Sequence, residues 1–148
     1  MTNEDKELLL KDLCARLPYK VKVSTFTYNK ISGEELDSIE TLYSIDSDGY
    51  ITTYECDTSR PICKPYLFPL SSMTEEQRKE ISKRYNYHNC YGLCIEITNH
   101  SEGYWDDDNS CHLQDYLWLE DWFNKNHFDY RGLIPMGLAI DATGLGIY

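Results

Sequence analysis

Apolar side chains at Leu9, Leu10, Leu13, Cys14 and Leu17 recur at the spacing of one helical face, which predicts a helix over residues 3–17. Thr2 stands where an N-cap belongs, acidic residues fill the first turn, and Pro18 ends the run. From Lys20 to Tyr28 the chain is rich in β-formers and partly alternating, the pattern of a strand. Two further β-rich runs, Leu36 to Ile45 and Tyr50 to Cys56, flank Asp46-Ser-Asp-Gly49 and predict a hairpin. Pro61, Pro65 and Pro69 confine the stretch from Ile62 to Leu70 to an edge strand or an extended connector.

Thr74-Glu-Glu-Gln77 is a capping box and opens a second predicted helix to about Tyr85. Leu93, Ile95 and Ile97 alternate with Cys94, Glu96 and Thr98, as in a half-buried strand. Asp106 to Ser110 supply caps for a third helix, Cys111 to Asn126. Its main apolar face is Tyr116, Leu119 and Phe123, with Leu113 and Trp122 at the margins. Leu117 and Trp118 point elsewhere, among Gln114, Asp121 and Lys125, so this helix is either sandwiched or carries an interaction patch.

The segment that follows is unusual. Leu133, Ile134, Met136, Leu138, Ala139 and Ile140 stand almost consecutively, where a tail is normally polar. Such a segment must be buried, in the chain's own core or against a partner. Pro135 and four glycines make it extended rather than helical. The predicted fold is therefore α+β: a small antiparallel sheet of about four to five strands with about three helices, in a single domain over 1–148. A chain of 148 residues is long enough to bury about 68–70% of its unfolded surface, so neither disulfides nor a metal is required for folding.

Charge narrows the function. The net charge is −11, and from Tyr85 to Asn124 there is no Lys or Arg but eight acidic side chains. Phosphate backbones are repelled by such a surface, which disfavours direct nucleic-acid binding and favours basic or nucleic-acid-binding protein partners. The acidic start, Met-Thr-Asn-Glu-Asp, has no signal-peptide pattern, and the longest apolar run is far too short for a bilayer. A cytoplasmic protein with reduced cysteines is the expectation. Cys14 and Cys94 are read there as small hydrophobes, Cys14 on the first helix's apolar face. Thirteen tyrosines fill half-buried strand positions or provide recognition surface.

No P-loop, G-x-G-x-x-G, H-E-x-x-H or G-x-S-x-G occurs. Asp46-x-Asp48 begins like a calcium loop, but Tyr50 and Ile51 stand where an oxygen ligand and a Gly are needed; a hairpin turn explains it better. His88, Cys90, Cys94, Cys111 and His112 contain zinc-ligand types but no second clean pair, so no metal site, cofactor or catalytic residue is assigned. Asp129-Tyr130-Arg131-Gly132 is the remaining constellation. Arg131, beside apolar sequence, needs a partner such as Asp129 or a helix C-terminal carbonyl. Its expected role is a structural clamp; the functional alternative is an anchor for an anionic ligand in a pocket lined by the tail. Trp105 with Asp106, Asp107 and Asp108 forms a candidate aromatic and acidic patch, to which Leu117 and Trp118 add apolar surface.

Three blocks carry a resemblance: Leu8-Leu-Leu-Lys-Asp-Leu-Cys-Ala-Arg-Leu-Pro-Tyr19, Lys64-Pro-Tyr-Leu-Phe-Pro-Leu-Ser-Ser-Met-Thr-Glu-Glu76 and Asp129-Tyr-Arg-Gly-Leu-Ile-Pro-Met-Gly-Leu-Ala139. Together they resemble a family of small proteins of gut bacteria and their phages or mobile elements, to which no activity is assigned. The resemblance implies a cytosolic accessory protein and no catalytic residue or cofactor. Lys20 departs from the Gly expected after the Pro-Tyr pair. The leading expectation is a non-enzymatic interaction protein. The alternatives are a ligand-binding domain or enzyme around Arg131, and an acidic mimic of nucleic acid.

Overall fold

In the computed structural model, the residues described are 1–28, 35–46, 48–55, 61, 63–85 and 113–148. They form an α+β fold of three helices, a three-stranded antiparallel sheet and a separate two-stranded parallel sheet. The helices are α1 (Asn3–Arg16), α2 (Glu75–Tyr85) and α3 (Leu113–Lys125). The strands are β1 (Lys22–Tyr28), β2 (Glu35–Ile45), β3 (Ile51–Thr53), β4 (Tyr66–Leu67) and β5 (Ile140–Asp141). The antiparallel order is β1-β2-β3; β4 pairs with β5 in parallel. The strand expected around Leu93 to Ile97 and the caps at Asp106 to Ser110 lie outside the described residues.

α1 begins as expected. Thr2 accepts from the Asp5 amide at 3.1 Å while the Asp5 carboxylate accepts from the Thr2 amide, a reciprocal cap. Its buried stripe corrects the expected face, however. Leu9, Asp12, Leu13 and Arg16 point inward, whereas Cys14 is exposed. At about 100° per residue, Cys14 lies well round the helix from the middle of that stripe, and the charged residues occupy the interior positions instead.

α1 ends in a short 3₁₀ turn, Leu17–Tyr19, and the chain enters β1 through Lys20 at φ 56°, ψ 45°. That left-handed conformation suits Gly and costs an L-residue about 1–2 kcal/mol. Lys20→Gly is therefore expected to raise stability by about 0.5–1 kcal/mol, Gly's greater unfolded-state entropy offsetting part of the relief. A higher urea midpoint checks this; a lower one would show that Lys20 makes a compensating contact.

The β2–β3 hairpin turn is held by Asp46. Its Oδ1 accepts from the amides of Asp48 and Tyr50, both at 2.9 Å, and Gly49 sits at φ 81°. The Asp46 oxygen is thus committed to the turn. A bulge between Leu42 and Ser44 shifts the register so that Ile45 pairs with buried Ile51, while Tyr43 stays on the outer face with Ile39. Val21, Val23, Leu42 and Ile51 face the other way and pack on Leu9 and Leu13 of α1.

The C-terminal segment completes this core. Leu67, Leu133, Leu138 and Ala139 belong to the same cluster, so the apolar tail is buried within its own chain. Pro65, lacking an N–H, still offers its carbonyl to the Ile140 amide at 2.9 Å, which aligns β4 with β5. A second cluster joins Ile81 of α2 to Leu119, Trp122 and Phe123 of α3 and to Phe128. Trp122, expected at the margin of α3, is buried and stacks on Phe128 with ring centroids 5.7 Å apart.

α3 closes in a Schellman motif. His127 takes the left-handed position at φ 58°, its amide donates to the Asn124 carbonyl, and the Phe128 amide donates to the Phe123 carbonyl at 3.0 Å. The accompanying apolar contact is between the Phe123 and Phe128 rings.

Candidate functional site

The charged residues that the sequence left unplaced meet between α1 and α3. Asp12 and Arg16 are four apart on α1 and both fully buried. Arg16 Nε donates to Asp12 Oδ2 at 2.7 Å and Nη2 to Oδ1 at 3.1 Å. The far side of the same guanidinium reaches the C-terminal end of α3: Nη2 donates to the Phe128 carbonyl at 2.8 Å and Nη1 to that of Phe123 at 3.5 Å. These are carbonyls at a helix end, where a cation is favoured.

Arg131 joins from the C-terminal segment. It donates to Asp12 Oδ1 at 2.9 Å and to Glu120 Oε1 at 2.6 Å, and its guanidinium lies 4.5 Å over the Tyr130 ring. Its partners are therefore carboxylates on α1 and α3. Asp129, the expected partner, instead accepts from the amides of Leu133 and Ile134 at 2.8 and 2.7 Å and ties down the start of the apolar tail. The helix-carbonyl role expected for Arg131 falls to Arg16.

Tyr130 stacks on Phe123 at 5.4 Å and donates to Glu120 Oε1 at 2.9 Å. Burial pushes its phenol well above the usual value, with the Arg131 charge opposing and the Glu120 carboxylate adding. It stays protonated near neutral pH and serves as a donor, so it is not poised as a general base. Two carboxylates and two guanidinium groups balance in charge, and each member spans two elements. This is a clamp that ties α1, α3 and the tail together.

Outside the clamp is a shallow, open depression lined by Lys11, Ala15, Leu117, Glu120, Asp121, Asn124 and Arg131. Leu117 and Arg131 thus share one surface, as two of the sequence's candidates. The depression is no enclosed ligand cavity, and its Arg131 is spent on Asp12 and Glu120. Asp121 is also engaged, accepting a hydrogen bond from the Tyr19 hydroxyl. Leu117 is 54% exposed, as expected; Trp118 differs, being half-buried against the second core cluster. Trp105, Asp106, Asp107 and Asp108 lie outside the described residues, as do the candidate zinc ligands from His88 to His112. Among the described residues no group of three or more His, Cys, Asp or Glu side chains converges as a metal site, and no helix is long and apolar enough to cross a membrane.

A second surface escaped sequence reasoning. Strand alternation puts Phe26, Ile39, Tyr43, Tyr50 and Tyr54 on the sheet face away from the core. Tyr43 and Tyr54 are more than half exposed, and their rings meet edge-to-face with centroids 4.9 Å apart. Lys20 Nζ lies 6.0 Å over the Tyr54 ring, so that ring already faces a cation. Asp37, Asp46 and Asp48 are exposed on the same strands and their turn. The available signal was the alternation from Asp37 to Tyr43; the bulge that brings Ile45 inward after it has no mark in the sequence.

No protein-family model matches the chain, and neither does any curated protein or solved structure.

Proposed function

We propose that the chain is a small non-enzymatic interaction protein, with the outward face of the β1-β2-β3 sheet as its contact surface and a partner that presents basic side chains. The observation that carries this reading is the concentration of exposed Phe26, Ile39, Tyr43, Tyr50 and Tyr54 on that one face. Exposed aromatic clusters of this kind are the anchors of protein interfaces, because Tyr brings large contact area at low entropic cost. The overall charge of −11 and the neighbouring aspartates favour a basic partner. The clamp around Arg131 supports the same reading from the other side, since its charges serve the fold. The resemblance of the three sequence blocks adds a cytoplasmic accessory role in a phage or mobile element.

The test is the double variant Tyr43→Ser, Tyr54→Ser in a quantitative pull-down from host lysate. Thermal stability is expected to change little, since exposed positions usually shift folding by within about 0.5 kcal/mol. Affinity for the saturable partner is expected to fall at least roughly 30-fold, the loss of one interface hot spot of about 2 kcal/mol. Unchanged binding by a folded variant would place the contact elsewhere.

A further inference from the structure

His127 and Tyr148 form a contact that neither the clamp nor the sheet face explains. The two rings stack with centroids 4.0 Å apart and planes 18° from parallel. His127 is 8% exposed, and its Nδ1 is buried with no hydrogen-bond partner among the described residues. The Tyr148 hydroxyl is inserted between two strands, accepting from the Lys22 amide of β1 at 3.0 Å and donating to the Tyr66 carbonyl of β4 at 2.7 Å. The Phe68 ring lies 5.6 Å from the Tyr148 ring. Between the buried Ala142 and this anchor, Thr143 to Gly146 are exposed. Tyr148 is thus the one point at which the chain past Ala142 is docked through a ring.

We propose that the His127–Tyr148 stack is an acid-sensitive latch: proton uptake by the His127 ring releases Tyr148 from its slot between Lys22 and Tyr66 while the two cores stay intact. A protonated ring would sit buried, with a new N–H and no acceptor, within the field of the Arg16 cation. From α1 the charges that reach this corner are Arg16 and, bound to it, Asp12; from the tail it is the Tyr148 phenol; β1 and β4 meet Tyr148 through backbone groups of Lys22 and Tyr66. Release uncovers an N–H and a carbonyl at neighbouring strands, the groups to which an added strand or another aromatic residue can pair.

The sign follows from the docked ring's reluctance to take a proton. Burial, with the Arg16 charge adding, lowers the His127 value from 6.5 to about 4. Docking is therefore at full strength above the free-imidazole value and is lost as pH falls through about 4. The whole shift corresponds to roughly 300-fold; because Arg16 and the cores stay in place on release, docking weakens by the smaller part that the Tyr148 ring's cover contributes.

The experiment is an NMR titration of the whole chain from pH 7.5 to 3, following the His127 ring and the Tyr148 ring together. Tyr148 is expected to shift toward free-tyrosine positions in step with His127 protonation. His127→Phe, which keeps a stacking ring, should hold Tyr148 docked throughout. His127→Asn, which suits the left-handed backbone, should make its position independent of pH. A docked Tyr148 after His127 has titrated would overturn the latch, as would pH-dependent release in either variant.

Discussion

Replacing Asp12 with Asn is expected to remove about 3–5 kcal/mol of folding stability, the cost of breaking a buried ion pair by removing one partner's charge. Asp12 is shared by two guanidinium groups, and both it and Arg16 are completely buried. Without its charge, Arg16 is left with neutral acceptors, the Asn amide oxygen and the Phe123 and Phe128 carbonyls, which accept hydrogen bonds but do not neutralise a cation. Arg131→Met should cost less, about 1.5–3 kcal/mol. In that variant Asp12 retains Arg16, and Glu120, whose side chain is 30% exposed, can be hydrated. The double variant Asp12→Leu, Arg16→Met is expected to be less damaging than the sum of its parts, because it removes the buried pair as a unit. Urea unfolding of Asp12→Asn, Arg131→Met and the four proteins of the Asp12→Leu, Arg16→Met cycle checks this ordering. A loss below about 1 kcal/mol for Asp12→Asn would mean that the pair behaves as a solvated surface bridge.

Asp12 and Arg16 also show where the sequence was legible and where it was not. The helix itself could be read from Thr2, the leucines and Pro18, because capping and periodicity are local. Which side of it is interior could not, since two rotations were open: one with Leu10 and Cys14 inward, the other with Asp12 and Arg16 inward. The second requires acceptors at the end of α3 and a second cation from the tail, more than 100 residues away in sequence. Arg131 was legible as a residue needing a carboxylate, but Asp129, its neighbour in sequence, was the wrong one. The reason is that Asp129 has a stronger local task in capping the amides of Leu133 and Ile134. Likewise the prolines pointed to an edge strand or connector, whereas the segment is bonded on one side to β1 through Lys64 and on the other to Ile140 and Ala142, contacts no local pattern encodes. The tyrosine face was hidden for a smaller reason: Ile39 and Tyr43 alternate with buried Glu40 and Leu42, but only the pairing of β2 with β1 and β3 brings Phe26, Tyr50 and Tyr54 onto the same face.

Leu133→Ala is expected to cost about 2–5 kcal/mol, with a loss that does not depend on protein concentration. The residue is fully buried among Leu67, Leu138 and side chains of α1 and the three-stranded sheet, so truncation leaves a cavity at the place where the tail meets both sheets. Met136, three residues on, is 51% exposed, and Met136→Ala should fall within about 0.5 kcal/mol of the parent. The contrast between these two positions separates the alternatives for an apolar tail. If the segment were ordered by a partner, removing Leu133 would weaken association, the penalty would shrink on dilution, and the isolated chain would unfold at nearly the same urea concentration as the parent. If it is core, as the burial of Leu133, Leu138, Ala139 and Ala142 requires, the isolated monomer carries the whole cost at every dilution. Chemical denaturation across a hundredfold range of concentration distinguishes the two. A midpoint for Leu133→Ala that matched the parent would overturn the assignment of this segment to the chain's own core.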